Sequence, residues 1–304
     1  MSAELAKQRL ISVVCNEQSG GGRAGRVLPR VARRLREGIT AADLHIVTSN
    51  SYEQARDLTR SFALQARPGD VVAVMGGDGM AHLGLNACAG TDATLAVIPA
   101  GTGNDFARGA GIPKSVTEAV EAIVTGTTRV MDLSRLTNGA VPRYVGAVVS
   151  SGYDARVNRA TNDIRLRFGA LSYGWIALRE LAAFEPLQYR LVIDGEAREL
   201  KAMMVAICNT GIFGGGMQIS PDADAADGML DITIIHEASR GKLLRLLPTV
   251  YSGGFITNPV VERIRARTVE VDGEDLFLMG DGEEMGDVPA TVECVPGCLR
   301  VIVG

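Results

Sequence analysis

The sequence predicts an α/β protein of two domains, an N-terminal α/β domain followed by a mainly antiparallel, β-rich one. Through the first third of the chain, short β-branched runs alternate with amphipathic helical stretches, the pattern of parallel strands joined by crossover helices. Beyond about Asp132 the texture changes to strand-like runs separated by Asp-Gly and Gly-rich turns, which suits antiparallel pairing. A length of 304 residues with 46% hydrophobic content exceeds what one small core needs. The expected boundaries are 1–132 for the first domain, with a C-terminal strand at 298–304 as a candidate to rejoin it, and 133–297 for the second.

Strands are expected at residues 10–15, 44–48, 70–75 and 95–98. Between the first two, Val27, Leu28, Val31 and Leu35 recur at helical spacing while Arg26, Arg30, Arg33, Arg34 and Arg36 fill the other side, giving one helix with a wet basic face. Residues 52–66 form the next helix, with Ser49 or Asn50 as N-cap and Pro68-Gly69 as the stop. In the second half, strand-like runs fall at 144–150, 189–193, 203–207, 230–235, 268–271 and 291–295. Helical segments at 164–183 and 240–251 interrupt them.

Composition excludes some classes of partner. A formal net charge of −4 argues against a nucleic-acid binder, which carries a basic balance or a concentrated basic stripe. The five cysteines, Cys15, Cys88, Cys208, Cys294 and Cys298, are odd in number, scattered and mostly inside apolar runs, so they read as buried thiols of a reducing compartment. The start of the chain has no hydrophobic signal core and no apolar run is long enough to span a bilayer, so membrane contact is expected to be peripheral.

Open parallel sheets bind ligands at the carboxyl ends of their strands, which directs attention to the loops after Cys15, Met75 and Ile98. The first, Asn16-Glu17-Gln18-Ser19-Gly20-Gly21-Gly22, joins a strand to a helix, and consecutive glycines let backbone amides converge on an anion. A tight turn is the plain alternative. The second, Gly76-Gly77-Asp78-Gly79, lets a phosphate chain lie against bare backbone while Asp78 faces a metal ion or a hydroxyl; an Asp-Gly turn is its alternative. The third, from Pro99 through Gly101, Thr102, Gly103, Asn104 and Asp105 to Arg108, is dense in small polar groups, although Asn104 and Asp105 also suit a helix cap. Three such loops after successive strands are hard to explain as turns alone.

The Gly-Gly-Asp-Gly loop followed by Pro-Ala-Gly-Thr-Gly-Asn-Asp-Phe-Ala-Arg resembles the catalytic signature of the diacylglycerol kinase family. The resemblance continues through Gly152-Tyr153-Asp154-Ala155, Gly214-Gly215-Gly216-Met217, Ser220-Pro221-Asp222-Ala223, Asp227-Gly228 and Asp281-Gly282-Glu283. It implies a nucleotide cleft between an α/β and a β-rich domain, ATP and Mg2+ as co-substrate and cofactor, and phosphorylation of a lipid hydroxyl, diacylglycerol to phosphatidic acid first of all. Carried over by position, it places Asn16, Ser19, Gly20, Gly76, Gly77, Asp78, Gly79, Gly101, Thr102, Asn104 and Asp105 around ATP, makes Asp78 a magnesium- or phosphate-organising residue and makes Glu283 the general base. It also implies a structural magnesium on Asp224, Asp227 and the carbonyl of Met229, a loop that otherwise reads as solvated acid. A cytoplasmic enzyme peripheral to the inner membrane face is implied, with a homodimer as the self-association left open.

Three Asp-Gly-Glu triplets compete for the base. Asp194-Gly195-Glu196 and Asp272-Gly273-Glu274 lie between strand-like runs and are expected to be hairpin turns, whereas Asp281-Gly282-Glu283 precedes the final Pro-rich and apolar stretch, as in the family. Where the family commonly has Thr and then Asn-Glu beyond the second loop, this chain has Met80 and His82-Leu83, and Glu17 stands where Pro is usual. Rival readings are a kinase of a sphingoid base, glycolipid or other lipid alcohol, an NAD kinase, and a non-catalytic lipid- or nucleotide-binding homologue. Retention of Asp78, Asn104, Asp105 and Glu283 favours an enzyme. Two segments suit a lipid headgroup region as well as they suit helices covering a sheet: Arg240, Lys242 and Arg245 among leucines, and Arg165 and Arg167 before the apolar run 168–178 with Trp175.

Overall fold

Four parallel strands build the sheet of the first unit. The structure, a computed structural model, describes residues 9–40, 42–153, 155–157 and 185–304. The chain divides into two units, Met1–Met131 with Gly297–Gly304, and Asp132–Pro296. In the first, β1 (Arg9–Asn16), β2 (Ala42–Ser49), β3 (Val71–Gly76) and β4 (Thr94–Pro99) alternate with α1 (Ser19–Gly38), α2 (Tyr52–Gln65) and α3 (Asp78–Cys88). The order is β2-β1-β3-β4, all parallel, and Arg300 and Val301 near the chain's end pair in parallel with Thr94 and Leu95. Every residue of β3 and β4 is buried, as central parallel strands covered on both faces must be. Because β1 connects to β2 on one side while β3 lies on the other, the strand order reverses between β1 and β3. Their carboxyl ends are therefore the switch point at which such sheets bind ligands.

Local sequence explains most of the boundaries. Ser51, rather than Ser49 or Asn50, caps α2, its Oγ accepting the Gln54 N–H at 3.1 Å. The short α4 (Asp105–Gly109) follows the third loop, and α5 (Val116–Thr125) is capped by Ser115 and ends on Gly126 in the left-handed region. Buried Ala24, Val31, Ala32 and Leu35 turn α1 toward the core of this unit. Cys15, Cys88 and Cys208 are buried free thiols, whereas Cys294 and Cys298, on a strand with a partly open face, are only partly buried; burial pushes Cys15 and Cys88 up to about 11 and about 12, leaving them inert at neutral pH.

Asp70 ties the start of β3 to β1. Its buried carboxylate accepts the Leu10 N–H at 2.7 Å and the Arg67 N–H at 3.0 Å, with Arg67 Nε at 3.4 Å. Burial alone would raise its pKa, but these donors and the Arg67 charge hold it below the ordinary carboxylate range. Asp70→Asn is expected to cost about 2 kcal/mol at neutral pH. Since the folded pKa is depressed, this stability is present above the unfolded value of about 3.9 and is lost as pH falls through the folded one. Urea melts of both proteins at neutral and strongly acidic pH check this: the difference must vanish in acid.

The second unit is antiparallel throughout its described pairs. It contains most of β5 (Thr128–Thr137), then β6 (Arg143–Val145), β7 (Val148–Gly152), β8 (Leu187–Ile193), β9 (Glu196–Cys208), β10 (Ile212–Phe213), β11 (Met217–Gln218), β12 (Leu230–His236), α6 (Arg240–Val250), β13 (Val261–Ala266), β14 (Thr268–Asp272), β15 (Phe277–Gly280), β16 (Glu283–Asp287) and the first part of β17 (Ala290–Ile302). Strands run in the order β16-β15-β7-β9-β8-β14-β17, with β12 added beside β9, β13 beside β12, β5 beside β17 and β6 beside β5. Tyr189, Leu191, Val205, Ile207, Ile232, Ile234, Val269 and Val292 form its core.

Several strand expectations change here. The run 144–150 breaks into β6 and β7 at Gly146 and Ala147, and 291–295 is part of a strand extending to Ile302. In β13, Val-Glu-Arg-Ile-Arg-Ala alternates partly buried and exposed residues and is invisible to a search for unbroken β-branched runs. Leu243 and Val250 of α6 are buried and Leu246 and Leu247 pack beside them, so these leucines cover the unit's own core while Arg240, Leu244 and Arg245 stay exposed. The segment 164–183 lies outside the described residues. No described helix is long and apolar enough to cross a membrane.

Candidate active site

The loops after β1, β3 and β4 meet. In the first, Asn16 Oδ1 accepts the Gln18 N–H at 3.1 Å, and Gly20, Gly21 and Gly22 take φ of 62°, 65° and 81°, so regular helix begins only after them. A Cβ on Gly20 would lie 2.3 Å from the carbonyl oxygen of Ala100, in the third loop. A Cβ on Gly76 would meet Met80 Cγ at 2.4 Å and Ser19 Oγ at 2.9 Å, and one on Gly101 would sit 2.4 Å from Gly77 Cα. Gly20 and Gly101 are thus required by mutual approach of backbone, and Gly76 by the side chains of Met80 and Ser19. Ala100 N–H donates to the Gly76 carbonyl at 2.7 Å and extends the β3–β4 pairing into the loops.

Asp78 ties the second loop to the third. Its Oδ2 accepts the Asn104 N–H at 2.8 Å and its Oδ1 the Asp105 N–H at 2.7 Å, across a separation of more than twenty residues. Asn104 adopts φ 54°, in the left-handed region, and its Nδ2 donates to the Gly101 carbonyl at 3.1 Å; Arg108 Nε donates to the Gly103 carbonyl at 2.9 Å. Asp78 also opens α3, where the helix dipole favours a carboxylate. Each carboxylate oxygen accepts one of these N–H groups and has capacity for a further contact, so a hard cation bound here would have one carboxylate, Asp78, as its ligand.

The departures from the family pattern are packing residues. Met80, His82 and Leu83 are buried in α3, Met80 directly beneath Gly76, and His82 Nε2 lies 3.3 Å from the Asn86 amide nitrogen. Glu17 is exposed, and its carbonyl accepts the Gly25 N–H.

In the second unit, Asp281 (φ 52°) and Gly282 (φ 85°) form a two-residue turn between β15 and β16, with Gly280 opposite Glu283. Glu283 is exposed at the start of β16. The Asp281 carboxylate accepts the N–H groups of Gly146 and Ala147 at 2.9 and 2.8 Å. Buried Asn209 donates its side-chain amide to the carbonyls of Gly146 and Asp132, each at 2.9 Å. The peptide that splits β6 from β7 is thereby gripped from both sides and anchors the turn carrying Glu283. Sequence reading missed Asn209 and this role of Asp281; the glycine interrupting the run 144–150 was the available signal.

The other triplets differ in structure. Asp194-Gly195 is the expected hairpin turn, between β8 and β9, and the Asp194 carboxylate accepts the N–H groups of Arg267 and Thr268. Asp272-Gly273-Glu274 is no hairpin: β14 pairs with β8 and β17, and Asp272 is bound by Arg190 at 2.6 Å.

The acidic loop pairs with arginines of β13. Asp227 Oδ2 pairs with Arg265, its Oδ1 accepts the Met229 N–H at 3.0 Å, Asp222 pairs with Arg263 at 2.9 Å, and Asp231 lies 3.8 to 3.9 Å from both arginines. Asp224 is exposed. Among the described residues no group of three or more His, Cys, Asp or Glu is placed to hold a metal ion. Two guanidinium groups from β13 bring positive charge to this loop, so a magnesium ion on Asp224, Asp227 and the Met229 carbonyl would compete with Arg265 for Asp227. Asp227→Ala is then expected to lower Tm slightly, by the equivalent of at most about 1 kcal/mol for exposed pairs, equally with and without magnesium. A loss seen only in magnesium, by differential scanning calorimetry, would restore the ion.

A parallel sheet with three glycine-bearing loops meeting at its switch point, beside a separate antiparallel unit, defines a class of α/β protein with a ligand cradle of backbone amides. Comparison with known proteins narrows it. The diacylglycerol kinase catalytic domain profile matches residues 11–136, and the YegS C-terminal NAD kinase beta sandwich-like domain profile matches 147–303. Diacylglycerol kinase of Mycobacterium tuberculosis (strain ATCC 25618 / H37Rv) is 36% identical over 295 residues, 96% of this chain and 94% of the relative. Diacylglycerol kinase of Bacillus subtilis (strain 168) is 27% identical, covering 91% and 90%. A Stenotrophomonas maltophilia (strain K279a) protein named "Probable lipid kinase YegS-like" is 32% identical, covering 76% and 78%. Two solved structures from Bacillus anthracis str. Sterne, the second of a diacylglycerol kinase, have TM-scores of 0.82 and 0.74 at 23% and 21% identity. They cover 100% and 98% of this chain and 98% of each of theirs, and show the fold. The chain belongs to the diacylglycerol kinase family of lipid kinases.

Proposed function

We propose that this kinase transfers the γ-phosphoryl group of ATP to the free hydroxyl of diacylglycerol, releasing ADP and phosphatidic acid, while attached peripherally to the inner face of the cytoplasmic membrane. The observation that carries the reading is the Asp78 clamp, which ties the second glycine-bearing loop to the third, beside the switch point of a parallel sheet where the first loop meets them. Asn16, Ser19, Gly20, Gly76, Gly77, Gly79, Gly101, Thr102, Asn104 and Asp105 line or shape that cradle. Backbone amides there stabilise phosphate charge, and magnesium at Asp78, when bound, would neutralise more of it. Glu283 takes the hydroxyl proton as the lipid oxygen bonds to phosphorus and the bond to the ADP oxygen breaks. The names of the M. tuberculosis and B. subtilis relatives favour diacylglycerol among lipid alcohols.

The test is radiolabelled ATP with mixed micelles of diacylglycerol, ceramide, a sphingoid base, a glycolipid and monoacylglycerol, followed by extraction and chromatography. Diacylglycerol is expected to give the dominant, magnesium-dependent product. A dominant product from another lipid alcohol would replace the substrate, and label in no lipid at all would point to a binding protein.

A further inference from the structure

Helix α1 carries a charge pattern that the phosphoryl-transfer chemistry does not use. Arg23, Arg26, Arg30, Arg33, Arg34 and Arg36 are all exposed, against a single acid, Glu37. At about 100° per residue, Arg23, Arg26, Arg30, Arg33 and Arg34 fall within an arc of roughly 100° opposite the buried side formed by Ala24, Val31 and Leu35. That buried side packs on this unit's sheet and α5, so the arginine face is directed outward. The described ion pairs of these six residues amount to Arg33–Glu37 at 3.9 Å.

This arrangement disfavours the helix itself. Arg26–Arg30 and Arg30–Arg34 are like charges at i,i+4, and Arg23 and Arg26 lie near the positive end of the helix dipole with no acid in the first turn. In a chain of net charge −4, such a concentration is matched to an anionic partner. Between an anionic lipid surface and a nucleic acid, the membership of this chain in a lipid-kinase family decides for the lipid, because the enzyme must meet that surface to reach its acceptor.

We propose that the arginine face of α1 is an electrostatic docking surface for bilayers rich in anionic phospholipid. The inference rests on the lipid-kinase reading, and it assigns to α1 the role that sequence alone gave to the basic residues of α6. Guanidinium groups on one arc of about three helical turns can each engage a lipid phosphate, and salt screens the attraction.

The experiment is vesicle co-sedimentation with phosphatidylcholine alone and with about one third phosphatidylglycerol, at about 0.05 M and 0.5 M salt. It compares wild type, Arg30→Gln/Arg33→Gln/Arg34→Gln and Arg240→Gln/Lys242→Gln/Arg245→Gln. Wild type is expected to partition at least about tenfold better onto anionic vesicles at low salt, and the α1 triple variant to lose about tenfold while the α6 variant keeps most of its binding. Because the α1 change relieves like-charge pairs, its Tm should be unchanged or higher, which separates lost docking from lost folding. Equal binding by wild type and the α1 variant would overturn the proposal. So would stronger retention on a single-stranded RNA homopolymer than on anionic vesicles. Phosphorylation of a monomeric short-chain diacylglycerol, measured alongside, tests the kinase reading separately: it should be equal in all three proteins, and its absence with vesicle binding intact would remove that reading and leave the surface.

Discussion

Asp78→Asn is expected to lower kcat/KM by about a thousandfold or more, a loss on the scale of removing a central electrostatic element of a phosphoryl-transfer site. Two effects combine. Asparagine removes the charge that would hold magnesium, and its amide offers one acceptor where the carboxylate now accepts the N–H groups of both Asn104 and Asp105. One backbone donor is left facing an NH2 group, costing about 1–3 kcal/mol. The variant should therefore melt at a lower temperature, and ATP should protect it less than wild type. Steady-state kinetics on mixed micelles with calorimetry, with and without nucleotide, measure both. Full activity with unchanged Tm would show that the clamp is dispensable.

Glu283→Gln is expected to lower kcat by about 10²- to 10⁴-fold, the range for loss of a general base, with little change in KM for ATP. Glu283 is exposed, so Tm should stay within the small range typical of surface substitutions. Glu196→Gln and Glu274→Gln should retain near-normal kcat. Asp281→Asn should lower both kcat and Tm, since it loosens the grip on Gly146 and Ala147 that anchors the turn. Loss of activity in Glu274→Gln with retention in Glu283→Gln would transfer the base to the second triplet.

The three triplets show where reading letters stops. Asp194-Gly195 and Asp281-Gly282 are both two-residue turns whose aspartates accept backbone N–H pairs, so turn chemistry alone cannot separate a structural hairpin from a candidate catalytic one. Asp272-Gly273 has the same dipeptide, yet β14 finds its partners in β8 and β17 and no hairpin forms. Strand partners are chosen by burial of faces far apart in sequence, a quantity no local window contains.

The acidic loop makes the same point through charge. Asp224 and Asp227 read as candidate cation ligands in a sequence, with Asp222 and Asp231 standing near them, and Arg263 and Arg265 lie more than thirty positions further on. Pairing of β12 with β13 brings Arg263 and Arg265 beside them.

What the sequence by itself determined is what short-range physics controls. The strand-to-helix alternation, the basic face of α1 and the three glycine-bearing loops follow from periodicity, from side-chain bulk and from the conformational freedom of glycine. Tertiary structure alone decided why those glycines are needed and what Asp78 does. Gly20 must admit the carbonyl of Ala100 and Gly101 the backbone of Gly77, and the Asp78 carboxylate is satisfied by amides of the following strand's loop. Such contacts exist only once parallel strands lie side by side, because hydrogen bonds and close backbone approaches depend on distance in space, which the order of residues along the chain leaves open.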